Sequence, residues 1–215
     1  SAKIRIRVEE PDVADVPSYS HEWMNSIHGD AREEIPRDAP KPLGRFFTLA
    51  RCAGANLMHC MLAGRSATGI IHMMNQTPID WCSKKQSTGE AATCGSEFVA
   101  ARTCVEQIMD LRTTLRCLGA PLWGKSCMLG DNESATSNTS RTGAKLHKRR
   151  TMLSFHQVRE TIASWLLAFA HLPGKANPAD ICSKHWACPA VHLLLKLLLF
   201  WRGEPDQTQN DGAGD

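Results

Sequence analysis

Apolar positions along the chain change their period several times, and each change marks an element. The first 45 residues show little of this. Apart from the alternating run Ile4-Arg5-Ile6-Arg7-Val8, which fits a short strand, they are punctuated by Pro11, Pro17, Pro36, Pro40 and Pro42 and read as a linker or irregular extension. From Phe46 the pattern becomes globular. Phe46 to Ala53, Ala67 to Met74 and Pro78 to Ser83 are strand-like and closely spaced, so an antiparallel meander is the simplest way to pair them. Phe98, Ala101, Val105, Ile108, Leu111, Leu115 and Leu118 then recur at helical spacing. Thr93 or Ser96 can cap the start of that helix, Gly119 suits its end, and Pro121 lies just beyond. Lys125 to Leu129 predicts a strand that runs into Gly130-Asp131-Asn132. Met152, Phe155, Val158, Ile162 and Leu166 mark a second helix, and Leu166 to Leu172 a last strand stopped by Pro173-Gly174. Asn177-Pro178-Ala179-Asp180 has the form of a helix start, with Asn at the cap and Asp in the first turn. The order β-β-β-α-β-α-β-α predicts an α/β fold, a mixed sheet covered by helices, over residues 46–188. Residues 189–202 read as a C-terminal helix and 203–215 as a disordered tail.

Composition narrows the class. With 215 residues, 42% of them hydrophobic, the chain can bury one sizeable core, which excludes a disordered protein and a disulfide-stapled miniprotein. The longest apolar stretch, Leu193 to Trp201, is broken by Lys196 and far shorter than the roughly 20 residues a membrane span needs. No apolar signal core is present near Ser1, so an intracellular protein, cytoplasmic or nuclear and without a membrane partner, is expected. The nine cysteines lie between Cys52 and Cys188, and the odd count favours reduced thiols. Cys182, His185, Cys188 and His192 could be read as zinc ligands, but their spacing matches no common finger or ribbon and Pro189 interrupts it. Charge is uneven. Residues 46–203 carry 18 bases and nine acids, whereas residues 1–45 carry seven bases and nine acids and the tail holds four acids. A basic centre between acidic flanks leans toward a polyanionic partner.

Three acids sit awkwardly in a structural account. Glu97 shares a side of the long helix with Ala101, Cys104 and Ile108, Asp131 follows a strand, and Asp180 opens the last helix. Singly, each can complement a helix N-terminus or a turn. Together at one sheet edge they would repel one another unless a hard cation joined them. Two Mg²⁺ ions about 4 Å apart, bridged by carboxylates, are the usual device for in-line phosphodiester hydrolysis.

Six ordered blocks between Gly44 and Trp201 resemble the ribonuclease H domain at the C-terminal end of copia-type retrotransposon polyproteins. They are Gly64-Arg65-Ser66-Ala67-Thr68-Gly69, Pro78 to Gln86 (PIDWCSKKQ), Gly95 to Ala100 (GSEFVA), Leu118-Gly119 with Gly130 to Ala135 (GDNESA), Ala144 to Arg149 with Phe155 to Glu160, and His171 to Gly174 with Asn177 to Asp180 and Ser183-Lys184. The resemblance implies a ribonuclease-H-like five-stranded mixed sheet, an antiparallel three-strand meander plus two parallel strands, flanked by helices. It implies an Asp, Glu, Asp, Asp site for two Mg²⁺, with Mn²⁺ an acceptable substitute, acting on the RNA strand of an RNA–DNA hybrid. Glu97, Asp131 and Asp180 match the last three ligands. The first falls on Gly54, in Ala53-Gly54-Ala55-Asn56-Leu57, and glycine offers no ligand. Impaired cleavage is therefore expected, the alternative being an inactive nucleic-acid-binding or structural remnant. Lys84, Lys85, Asn132, Lys145, Lys148, Arg149 and Arg150 are the expected nucleic-acid contacts, against the plainer reading of a solvated or nuclear-targeting basic face. The reverse transcriptase region of such a polyprotein is a further expected partner. Related elements tend to carry aromatics at Cys82, Cys94, Cys117 and Cys127, while this chain keeps one tyrosine, Tyr19. A decayed copy, with packing voids and marginal stability, is the expectation.

Overall fold

Strands and helices alternate in the computed structural model much as the pattern predicts; it describes residues 26–29, 31–75, 77–90, 92–141, 151–187 and 189–191, with Leu195 and Leu198. Strands β1 (Leu49–Cys60), β2 (Arg65–Met74) and β3 (Thr77–Lys85) precede helix α1 (Thr93–Cys117). Strand β4 (Ser126–Gly130), helices α2 (Glu133–Ser140) and α3 (Met152–Ala163), strand β5 (Leu167–His171) and a single helical turn, α4 (Asp180–Ser183), complete the chain. The sheet runs β3-β2-β1-β4-β5. β1 and β2, and β2 and β3, pair antiparallel; β4 lies parallel to both β1 and β5. The expected five-stranded mixed sheet is what forms.

Neighbouring residues of β1, β2 and β4 feed two apolar layers. Ala53, Ile70 and Met128 pack with Cys104, Val105 and Ile108 of α1 and Val158 and Ile162 of α3. Their neighbours Cys52, Ile71 and Leu129 face the opposite side and pack with Ala179 and Leu198. β2 is therefore buried on both faces, which explains why apolar neighbours such as Ile70 and Ile71 stand side by side in it instead of alternating with exposed polar residues. Gly69 is required here: a Cβ at that position would collide with the Ala179 carbonyl, so only glycine lets α4 lie against β2. Cys52 and Cys104 are sealed, one in each layer, and burial pushes the Cys104 thiol up to about 12 and the Cys52 thiol upward as well.

Several expectations change. β1 begins at Leu49, not Phe46, because Phe46 packs edge-on against Trp123 outside the sheet and Phe47 bridges to Leu122. Neither Thr93 nor Ser96 caps α1; the cap residue is Ala92, with no side-chain bond, and Ser96 Oγ instead donates to the Thr93 carbonyl. Helix α2 was not predicted, since Glu133 to Ser140 carries no apolar stripe. Asn177 does not start an α-helix directly: the chain passes through i→i+3 turns before α4 begins at Asp180. The voids expected at four cysteines are reduced, because Cys117 is exposed and Cys82, Cys94 and Cys127 are only half-buried. The Ile4–Val8 strand and the 203–215 tail lie outside the described residues, as does most of the 189–202 helix, of which Leu198 is buried in the second layer.

Two features had no sequence signal. Glu33, in the irregular N-terminal segment, accepts paired hydrogen bonds from Arg112 (2.8 and 2.9 Å) and Arg116 (2.5 and 2.9 Å) near the end of α1. Arg51 is wholly buried on β1, and its three guanidinium nitrogens have no partner among the described residues. It stands in a cross-strand row with His72 and Asp80.

Candidate functional site

The carboxylates gather because three different elements end at one place. Glu97 projects from the start of α1, Asp131 follows the last residue of β4, and Asp180 opens α4. Glu97 is buried, and its Oε1 accepts a 3.0 Å hydrogen bond from the backbone N–H of Ala55, next to Gly54 on β1. Burial, then the negative charge of Asp131 and, more weakly, Asp180, pushes its carboxyl up to about 8, despite the Ala55 bond and Lys184. Burial and the charge of Asp180 raise Asp131 too. Asp180 is buried; its Oδ2 takes a 2.6 Å bond from Lys184 Nζ, while its Oδ1, like Asp131 Oδ1, has no partner among the described residues.

Position 54 faces this group. A Cβ built on Gly54 would lie 3.6 Å from Asp180 Oδ1 and 3.1 Å from Asn177 Nδ2. Asn177, fully buried, donates through that Nδ2 to the Ala53 carbonyl and accepts from the Ala179 N–H, both at 3.1 Å, and so pins the turn bearing Asp180 to β1. Sequence reasoning treats Asn177 as a helix cap and gives Lys184 no role beyond its place in the closing block, although Asp180 and Lys184 stand at the i,i+4 spacing of an ion pair.

Hard carboxylate oxygens, two of them buried and unpartnered, suit a divalent cation such as Mg²⁺. The set is nevertheless open. Among the described residues no three His, Cys, Asp or Glu side chains gather closely enough to hold an ion as they stand. Of the zinc candidates, Cys188 and His192 lie outside the described residues, and His185 stacks on His59 with ring centres 4.3 Å apart.

The expected nucleic-acid contacts divide. Lys84 and Lys85 are exposed at the end of β3 and line a groove of about 440 Å³ with Thr68, Gln86 and Arg102. Asn132 caps α2, its Oδ1 accepting from the Ala135 N–H at 2.9 Å. Lys145, Lys148, Arg149 and Arg150 lie outside the described residues.

No protein-family model matches the chain, and no curated protein matches it. Solved structures do. A ribonuclease H1 obtained from compost, solved in complex with an RNA/DNA hybrid, is 14% identical, with a TM-score of 0.50 over 63% of this chain and 94% of the other. The fold is that of ribonuclease H. The N-terminal ribonuclease H domain of a Mycobacterium tuberculosis protein is similar over 70% of this chain and 97% of its own, at 12% identity and a TM-score of 0.48. The protease-reverse transcriptase of prototype foamy virus is similar at 10% identity and a TM-score of 0.45, over 74% of this chain but 22% of the viral one. On the ribonuclease H fold, the carboxylate group lies where α1, β4 and α4 converge on the middle of β1. No helix among the described residues is long and apolar enough to cross a membrane.

Proposed function

We propose that this chain is the ribonuclease H domain of a copia-type retroelement polyprotein, built to hydrolyse the RNA strand of RNA–DNA hybrids and impaired by glycine at position 54. One observation carries the reading: Glu97, Asp131 and Asp180 come together from three elements around a Cβ direction that, from Gly54, points at Asp180 Oδ1. Those three residues would hold Mg²⁺, which when bound supplies Lewis acidity toward phosphate oxygens and water. Asn177 and the Ala55 N–H fix Asp180 and Glu97 in place, and Lys84 and Lys85 offer ammonium groups to a phosphate backbone. Without the fourth carboxylate the attacking water loses one of its positioning groups, and a rate loss of several orders of magnitude is expected by analogy with other catalytic sets.

The test is cleavage of a labelled RNA–DNA hybrid, in Mg²⁺ and in Mn²⁺, by this chain and by Gly54→Asp. The 3.1 Å approach to Asn177 means that side chain must yield by a few tenths of an ångström to admit the aspartate. Cleavage by the variant alone is the expected result. Comparable cleavage by the original chain would refute the role given to Gly54. If neither cuts, the reading as a binding or structural remnant takes its place.

A further inference from the structure

We propose that Lys184 is a resident counter-ion of the carboxylate group, holding with its ammonium the oxygen of Asp180 that a divalent cation would otherwise take, and so setting how tightly this chain binds such a cation. This rests on reading Glu97, Asp131 and Asp180 as a cation site.

The two oxygens of Asp180 have different surroundings. Oδ2 receives the Lys184 ammonium at 2.6 Å, whereas Oδ1 is buried without a partner and faces position 54. Asp180 itself is 4% exposed, so its charge cannot be left to water. The lysine is placed by the fold. Its backbone N–H donates to the Asp180 carbonyl at 2.9 Å, and Trp186 Nε1 donates to the same carbonyl at 2.8 Å, closing α4 so that residues 180 and 184 share a side. The positive charge reaches beyond its partner, opposing the upward push on both Glu97 and Asp131.

An ammonium and a divalent ion do different work here. The ammonium neutralises one carboxylate through hydrogen bonds and leaves Asp131 Oδ1 and Asp180 Oδ1 unpartnered. A divalent ion can draw several carboxylate oxygens inward together. Which of the two holds Asp180 depends on how much negative charge surrounds it. An aspartate at position 54 would add one charge beside Asp180 Oδ1 and favour the divalent ion; glycine removes that charge and leaves Lys184 the stronger competitor. The lysine side chain is 37% exposed, so it can withdraw into solvent when displaced.

Mn²⁺ binding to the full chain, followed by electron paramagnetic resonance without nucleic acid, separates the possibilities. Lys184→Gln is expected to bind Mn²⁺ about tenfold or more tighter than the original chain, since a competing unit charge is gone. Lys184→Arg should stay near the original affinity, and Gly54→Asp should bind tighter than it. Melting adds an independent reading: ion-free Lys184→Gln should melt lower, and Mn²⁺ should raise its midpoint more than that of the original chain. Unchanged or weaker Mn²⁺ binding by Lys184→Gln, with tight binding by Gly54→Asp, would overturn the role of Lys184 and leave the cation site standing. If no variant binds Mn²⁺, and Glu97→Gln and Asp131→Asn change nothing, the cation site fails first and the lysine inference with it. Should Lys184→Gln not fold, Lys184→Met keeps the aliphatic stem. Failure of both to fold even in Mn²⁺ would also overturn the inference, because a counter-ion that a cation can replace is dispensable in its presence.

Discussion

Arg51 is a buried charge with no partner among the described residues, and that arrangement carries a cost. A guanidinium sealed between β1 and α1 gives up its hydration and receives no hydrogen bond in return, and burial lowers its pKa to about 10. Its row-mates offer little: burial, then the charge of Arg51, drives His72 down to about 4, and Asp80 is exposed. Replacing even a buried ion pair by apolar side chains of similar volume is often neutral or stabilising by about 1–4 kcal/mol, and an unpartnered charge has no pairing to lose. Arg51→Met should therefore raise the melting midpoint by roughly 5–10 °C for a domain of this size. A lower midpoint would mean that Arg51 has a partner in solution. No sequence pattern exposes this residue, because an arginine in the alternating start of a strand ordinarily points to water.

At the scale of elements, α4 is only four residues long and cannot hold Asp180 in place by itself. It is held by Asn177, which donates to the Ala53 carbonyl of β1 and accepts from the Ala179 N–H within the turn, and by the absence of a side chain at Gly69. Asn177→Ala leaves the Ala53 carbonyl without that donor and should destabilise by about 1–3 kcal/mol. It should also weaken Mn²⁺ binding beyond what Gly54 already does; thermal melts and the same resonance titration would show both effects. Stability loss with unchanged ion binding would mean that the turn keeps its place without the clamp. This scale also shows where the sequence was readable. The meander, α1, α3 and the two parallel strands follow from apolar runs that each element must bury. Helix α2 does not, because Glu133 to Ser140 is mostly Ser, Thr and Asn; it is organised by the Asn132 cap and by Ala135 packing against Phe98 and Phe155. The three carboxylates were legible as an awkward set, whereas Asn177 and Lys184 act through contacts fixed only when α4 meets β1.

For the whole molecule, stability should depend on pH through groups at opposite ends of α1, about 22 Å apart from Glu97 to Arg112. Burial alone would raise Glu33, but hydrogen bonds from Arg112 and Arg116 outweigh it and hold the carboxyl at about 2, below its ordinary 4.5. Its contribution is complete above pH 4.5 and is lost as pH falls toward 2. His72, held below its ordinary 6.5, likewise withdraws stability as pH falls from 6.5 to about 4. Glu97 has the opposite sign: raised to about 8, it stabilises fully below 4.5 and its contribution is lost as pH rises toward 8. Above pH 6.5 the Glu33 and His72 contributions are constant, and the Glu97 limb remains. The ion-free chain should therefore lose about 2 kcal/mol between pH 6.5 and 8, and Glu97→Gln should flatten that limb. Urea midpoints measured in a chelator across this window decide it; an unchanged slope in the variant would assign the limb to another group. The Glu33 clamp spans 79 residues of sequence and joins a loop to a helix end, a pairing that no local period announces.

The sealed thiols turn the two apolar layers into a pair of chemical clocks. Cys117 is open to a thiol reagent at once, but Cys52 and Cys104 can be modified only while their own layer is parted. If the sheet sheds α4 before it sheds α1 and α3, Cys52 is tagged first; if the molecule comes apart in one step, both are tagged together. Mass spectrometry of the tagged chain thus gives the order of disassembly without any substitution.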